Sequence, residues 1–296
     1  MKSAILLALW SWLLASSVLA DEPLFIVSLE PVEVVQGGIL QIKASGKDLT
    51  RVQAIFPDRN LIFVRGPDGV FSALWGVDLE QRPEVLDLVV EVTNRREEKW
   101  LSRLTAYVKG RVFPTETISV PPAFDQLDRA MLKRIEKEKN EFTRLWKIQS
   151  PSRLWEERFA APVPGAVSSP FGLRRVVNGL ARAPHDGVDL RAALGSEVVA
   201  VNRGRVVLQG DFFFSGNSVV LDHGGGLYTM YFHLSEFRAQ KDSVVRKGEV
   251  IGLAGMTGRV TGPHLHWAAR LNGARIDPME LLEIGERQQA TGNSSP

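Results

Sequence analysis

The 296-residue chain contains no cysteine. It can form no disulfide framework, and thiol-based peptidase chemistry is excluded. Charge of one sign is also missing: 36 Lys and Arg stand against 34 Asp and Glu, a formal net of +2. That balance gives no electrostatic case for nucleic acid as a partner. After the first 20 residues no segment approaches the roughly 20 apolar residues needed to span a bilayer. Several catalytic signatures are absent as well. There is no nucleophile-elbow Gly-x-Ser-x-Gly and no helical His-Glu-x-x-His, and the run Gly224-Gly225-Gly226 fits neither the phosphate-loop nor the dinucleotide pattern. Histidine is scarce, five residues in all, yet every one falls between His185 and His266.

What is present begins with a leader-like segment. Met1-Lys2 precedes a short apolar stretch from Ala4 to Leu14, and small residues follow up to Ala20. This is the pattern of a secretory signal peptide cleaved after Ala20, with no cysteine behind it to accept a lipid. The rival reading is an uncleaved membrane anchor, disfavoured because the apolar run is short and interrupted by Ser11, Ser16 and Ser17. The expected mature protein is exported and keeps no membrane span. Residues 21–113 read as a β-rich module of about seven short strands separated by turn signals such as Gln36-Gly37-Gly38 and Pro67-Asp68-Gly69. Such spacing predicts an immunoglobulin-like sandwich, an accessory domain without chemistry of its own. Residues 114–161 read as a linker followed by an amphipathic helix. Leu127, Met131, Ile135, Phe142 and Leu145-Trp146 form its apolar stripe, and Ser150-Pro151 ends it. The stripe is expected to pack on the protein's own domain. Residues 162–284 are glycine-punctuated strand segments with almost no helical signal, so a compact antiparallel β domain is expected. Residues 285–296 are a polar tail.

The chemistry-bearing residues all lie in that second domain. Thr261-Gly262-Pro263-His264-Leu265-His266-Trp267 places two histidines one residue apart, on one face of an extended strand. Upstream are Pro184-His185-Asp186-Gly187-Val188-Asp189-Leu190 and Tyr231-Phe232-His233-Leu234. Imidazole and carboxylate are zinc ligands, and a catalytic zinc takes three protein ligands with one position open. A His-x-His pair alone is a weak signal; the confinement of all five histidines to one stretch strengthens it.

These pieces, together with Ser169-Pro170-Phe171-Gly172-Leu173-Arg174, Gly204-Arg205-Val206-Val207 and Asp222-His223-Gly224, occur in an order that closely resembles the LytM/lysostaphin-type zinc metallopeptidases that cleave peptidoglycan peptides. The preceding module and helix are similar to accessory regions of some Gram-negative relatives. The resemblance implies that His185, Asp189 and His266 hold one Zn2+. It implies that His233 and His264 are non-ligating catalytic histidines, and it leaves His223 a structural role. With the leader-like segment, it further implies an endopeptidase exported to a Gram-negative periplasm, with secretion as the alternative. The enzyme would act on peptidoglycan peptide stems, with the D-alanyl to meso-diaminopimelate cross-link as the expected bond. A regulatory protein could engage the N-terminal module or the helix. Two other functions fit the same resemblance: a non-catalytic activator of a cell-wall amidase, and a secreted protease acting on Gly-rich peptides.

Overall fold

The computed structural model describes residues 25–55, 61–119, 127–148, 150–155 and 158–284. The leader-like segment and the polar tail lie outside the described residues.

The protein is mainly β, as expected. In the N-terminal module, strands Phe25–Glu30, Ile39–Gly46, Phe71–Gly76 and Val64–Arg65 form one four-stranded sheet. Strands Glu33–Val35, Lys99–Lys109, Glu84–Asn94 and Leu49–Ile55 form another. Period-two patterning explains why they face each other. In Glu84–Asn94, Leu88, Val90 and Val92 are fully buried while Asp87 and Glu91 point away. Those residues meet Leu40, Ile42 and Trp75 of the first sheet in one core. The immunoglobulin-like reading is a proposal resting on the number and spacing of the strands. The short strand Glu33–Val35, which runs parallel to Lys99–Lys109, carries no propensity signal long enough to be read from sequence.

The second domain is built on an eight-stranded sheet. Its main path runs Val167–Ser169, Gly187–Leu190, Leu265–Leu271, Leu227–Leu234, Gly216–Gly224, Gly204–Phe212 and Val244–Val245, with Ala274–Ile276 beside Leu265–Leu271. One face of this sheet carries the larger core, around Tyr231, Trp267, Leu265, Leu221 and Val219. The other face carries Leu208, Val220, Tyr228, Met230 and Ala268, and the helix lies against it.

That helix spans Arg129–Leu145, with the Asp128 carboxylate accepting the Met131 N–H at its N-cap. It ends one turn before Ser150-Pro151, where the sequence pattern placed its stop; the start expected near Ala123 lies outside the described residues. Only its C-terminal half packs as expected. Phe142, Leu145 and Trp146 reach the sheet, whereas Met131 and Leu132 remain exposed.

The chain before residue 162 also contributes to the second domain. Thr115–Ile118, inside the expected linker, pairs in parallel with Arg174–Val177. Trp155 and Phe159 are buried in the second domain's core, and so are Ile39, Leu74 and Leu79 of the first module. The glycine run explains how the connecting chain gets so close. Gly224, Gly225 and Gly226 all have positive φ in the hairpin turn, and a Cβ on Gly224 would lie 1.8 Å from the Ser152 carbonyl oxygen. Gly225 N–H donates to Ser150 O at 3.0 Å. The run is therefore a close-packing device for residues 150–155. Across the interface, Arg275 grips Asp78 at 2.7 Å and Arg111 pairs with Asp277 at 2.9 Å. Burial raises the Asp78 pKa, and the Arg275 hydrogen bonds and charge outweigh it, so the carboxyl lies below its ordinary value.

Because Trp155 belongs to the second domain's core, Trp155→Ala is expected to cost about 3–5 kcal/mol of stability in denaturant titration, the loss typical of a buried large aromatic. An unchanged midpoint would mean that the connecting segment merely rests on the domain.

Candidate metal centre

The site is assembled by strand register. Asp189 on Gly187–Leu190 pairs with His266 on Leu265–Leu271, and His266 pairs with Phe232 on Leu227–Leu234. Cross-strand partners project from the same face, so the carboxylate, the imidazole and the phenyl ring stand in one row. The phenyl ring of Phe232 stacks on His266 with centroids 5.4 Å apart and planes within 4°. His185 enters from the residues just before Gly187. Its Nδ1 lies 3.0 Å from Pro170 O, and this carbonyl accepts the Nδ1–H. The lone pair is thereby assigned to Nε2.

Three ligand-type atoms then converge. His185 Nε2 is 3.1 Å from Asp189 Oδ1 and 3.0 Å from His266 Nδ1, and His266 Nδ1 is 3.0 Å from the same Oδ1. These residues are the metal-capable cluster found among the described residues. The donor set fits a small divalent ion. Ligands about 2.0–2.1 Å from a tetrahedral zinc are roughly 3.3 Å from one another, close to this triangle. Electrostatics agree. Burial pushes the Asp189 pKa up, but the hydrogen bonds and charges of His185 and His266 hold it far below the carboxylate range. Burial disfavours a charged His185, and Asp189 outweighs it and raises that pKa. This pocket therefore stabilises positive charge beside a permanent carboxylate.

The remaining expected site residues sit beside the triangle. The His264 ring is 4.9 Å from that of His233, and His264 Nε2 lies 3.6 Å from Asp189 Oδ1. Each is oriented through Nδ1 by a backbone carbonyl, His233 by Thr257 O and His264 by Gly262 O, both at 2.9 Å. His233 adopts φ +64°, a left-handed conformation that is rare for a residue with a Cβ and is sustained only by its surroundings. Burial and the neighbouring charge of His266 lower its pKa to about 4, so His233 is neutral near pH 7. An open groove of about 530 Å³ passes over Asp189 and His264, between Arg191–Ala193 on one wall and Thr261–Pro263 on the other.

His223 stands apart. It is fully buried on the opposite face of the sheet, with Nδ1 2.8 Å from Arg203 O and Nε2 2.7 Å from Thr229 Oγ1. Two contacts escaped sequence reasoning. Asp186 Oδ1 lies 3.8 Å from His266 Nε2, and Pro170 orients His185. The Ser169-Pro170 motif was visible in sequence, but the role of its carbonyl was not, because a backbone atom leaves no residue signature.

The arrangement can be compared with known proteins. The profile of peptidase family M23 matches residues 183–278, which hold every member of the triangle and both neighbouring histidines. A crystal structure from Pseudomonas aeruginosa, assigned to peptidase M23, is 31% identical, with a TM-score of 0.66 over 84% of this chain and 94% of its own. The chain belongs to peptidase family M23. The M23 likeness to that structure extends beyond the matched profile and takes in the N-terminal module. Among curated relatives, the DD-carboxypeptidase/endopeptidase Mpg of Neisseria meningitidis is 43% identical over 125 residues, 42% of this chain. The peptidoglycan DD-endopeptidase ShyA of Vibrio cholerae is 38% identical over 125 residues, again 42% of this chain. This chain aligns with 29% of the length of each of these two relatives.

His223 generates a pH prediction. Burial lowers its pKa from 6.5 to about 4, so the folded state favours the neutral ring. Its stabilising contribution is complete above pH 6.5 and is lost as pH falls towards 4, because the unfolded chain binds the proton first. The contribution is on the order of 3 kcal/mol. Unfolding free energies of wild type and His223→Gln, measured across that range, should converge on the acid side. Parallel curves would show that His223 is not the titrating group.

Proposed function

We propose that this M23 protein is an exported zinc endopeptidase that hydrolyses peptide cross-links of peptidoglycan, with the D-alanyl to meso-diaminopimelate bond as substrate. The observation that carries the reading is the convergence of His185, Asp189 and His266 with His233 and His264 at their side. The peptidoglycan substrate is suggested by the activities named for Mpg and ShyA, and export by the leader-like residues 1–20. Among the described residues no helix is long and apolar enough to cross a membrane. A non-catalytic amidase activator has no need of five intact polar positions in this geometry. In the same reading, the N-terminal module and the helix regulate access to the groove or receive a partner.

His185, Asp189 and His266 would hold the ion. Bound there, zinc supplies a Lewis acid that polarises the scissile carbonyl and makes water acidic enough to attack near neutral pH. The protein's own groups do the rest. The groove beside Asp189 and His264 receives the peptide in extended form, with its scissile bond over the triangle. His233, neutral and fixed by Thr257, accepts the proton of the attacking water at Nε2. His264, whose Nδ1–H donates to Gly262 O, turns Nε2 towards the oxygen that gains charge and donates a hydrogen bond to it once that nitrogen also carries a proton. The proton held by the histidine pair then passes to the leaving amine, and the product separates as amine and carboxylate. Outside the reacting groups, Pro170 O and Phe232 keep His185 and His266 aimed while charge shifts.

Two experiments test this. Digestion of purified sacculi, with and without a chelator, should release monomers from cross-linked muropeptides only when the metal is retained. Intact dimers alongside cleaved pentaglycine would move the substrate to Gly-rich peptides. Substitution separates the roles. Asp189→Ala and His266→Ala should lose zinc and activity together. His233→Ala and His264→Ala should keep zinc and lose about a hundred- to ten-thousand-fold in turnover, the usual worth of a general acid or base. Loss of zinc from His233→Ala as complete as from His266→Ala would overturn the ligand set.

A further inference from the structure

The helix Arg129–Leu145 lies outside the matched family span of residues 183–278, and nothing in the proposed reaction requires it. Its polar contacts to the domain nevertheless converge on residues 211–213, at the turn that joins Gly204–Phe212 to Gly216–Gly224. The Glu138 carboxylate, largely sheltered, accepts the Phe213 N–H through Oε2 at 2.8 Å. Its other oxygen accepts Arg134 Nε–H at 2.6 Å, and Arg134 Nη2 donates to Asp211 O and to Asp211 Oδ2, each at 3.2 Å. Beneath this polar clamp, the Phe142 ring packs on Phe212 with centroids 4.9 Å apart.

The same turn presents its next two carbonyls to the active site. Phe214 O accepts Arg259 N–H at 3.0 Å, and Ser215 O accepts His233 N–H at 2.8 Å. Within residues 211–215, then, Asp211 and Phe213 are held by the helix, while Phe214 and Ser215 hold the catalytic segment. His233 depends on such a hold because its backbone is left-handed. The Ser215 carbonyl fixes its N–H while Thr257 O fixes its ring, and Thr257 Oγ1 is itself anchored by Asn217 N–H at 2.9 Å. A second line of contact runs from Phe142 to Phe232 at 6.0 Å, and from Phe232 to the stacked His266.

We infer that Glu138 is a positioning residue for the hydrolytic reaction: by accepting the Phe213 N–H it sets the turn whose Ser215 carbonyl holds His233 in its catalytic conformation. The inference rests on the proposed peptidase function for its kinetic consequence and on the hydrogen-bond path alone for its structural one. The helix therefore forms part of the catalytic unit. A carboxylate matters here for its acceptor oxygens, since Phe213 N–H is neutral, and an amide oxygen can replace Oε2 without the charge.

The test uses the full-length zinc-loaded protein with Glu138→Ala and Glu138→Gln. In Glu138→Ala, kcat should fall about tenfold to a hundredfold with KM and zinc content unchanged, the signature of a displaced reacting group. Hydrogen exchange at the His233 amide should speed up in the same variant. Glu138→Gln should recover both readouts to near wild type even where its melting temperature stays lower. A wild-type kcat in Glu138→Ala would overturn the inference, and so would equal impairment of both variants with His233 exchange unchanged. Should the wild-type protein cleave no cross-link, the proposed function fails. The His233 exchange rates then decide the inference: acceleration in Glu138→Ala with recovery in Glu138→Gln upholds it, and no change overturns it.

Discussion

The candidate metal centre depends on one constraint, the antiparallel register that sets Asp189 opposite His266 and His266 opposite Phe232. Side chains in a strand alternate between faces, so a slip of one residue would send the carboxylate and the imidazole to opposite sides of the sheet. That register is secured by burial on the other face. Val188, Leu265, Trp267 and Tyr231 are all nearly inaccessible there, and a slip of Gly187–Leu190 or Leu265–Leu271 would bring Asp189 or His266 into their place. The hydrophobic effect thus selects the register, and the register delivers the ligands.

The same alternation separates His266 from His223. His266 lies on the sheet face that bears the groove. His223 lies on the core face, where burial keeps it neutral and its two ring nitrogens are satisfied by Arg203 and Thr229. His185 and His266 gather around the Asp189 carboxylate, which outweighs burial at His185 and favours its positive charge. His233 is close by but is buried next to that charge, and so is pushed towards the neutral form. His185 and His233, close neighbours, are thus pushed in opposite directions by their position relative to Asp189 and to the surrounding burial.

The protein around this centre is more continuous than a string of modules. Leu79 and Trp155 come from different parts of the chain and enter one core with Trp267 and Ile276. The chain between the modules contributes a strand, a helix and two buried aromatic residues to the second domain. Arg275 bridges to Asp78 and Glu80 at the half-buried edge of the interface, so the N-terminal module is held by charge as well as by apolar contact. Regulation of the groove in such a molecule would act through packed surfaces rather than through a loose tether.

Much of this was legible in the residues. The mainly β class followed from period-two patterning and turn residues. The candidates His185, Asp189, His266, His233 and His264 came from motif order, and the fold brings those side chains together. Phe142, Leu145 and Trp146 declared the packed face of the helix. What could not be read was everything set by contacts distant in sequence. The strand Thr115–Ile118 has no strong pattern of its own and exists because Arg174–Val177 offers it backbone partners. The helix stopped short of Ser150-Pro151, where residues 150–155 are drawn against the glycine turn. The orienting carbonyls of Pro170, Thr257 and Gly262, and the path from Glu138 to His233, are backbone geometry that every residue type shares. Sequence by itself determined which side chains could bind a metal and move a proton, because that is written in their chemistry. Only the tertiary structure decided which nitrogen each histidine presents, because that depends on the carbonyl folded against its other side.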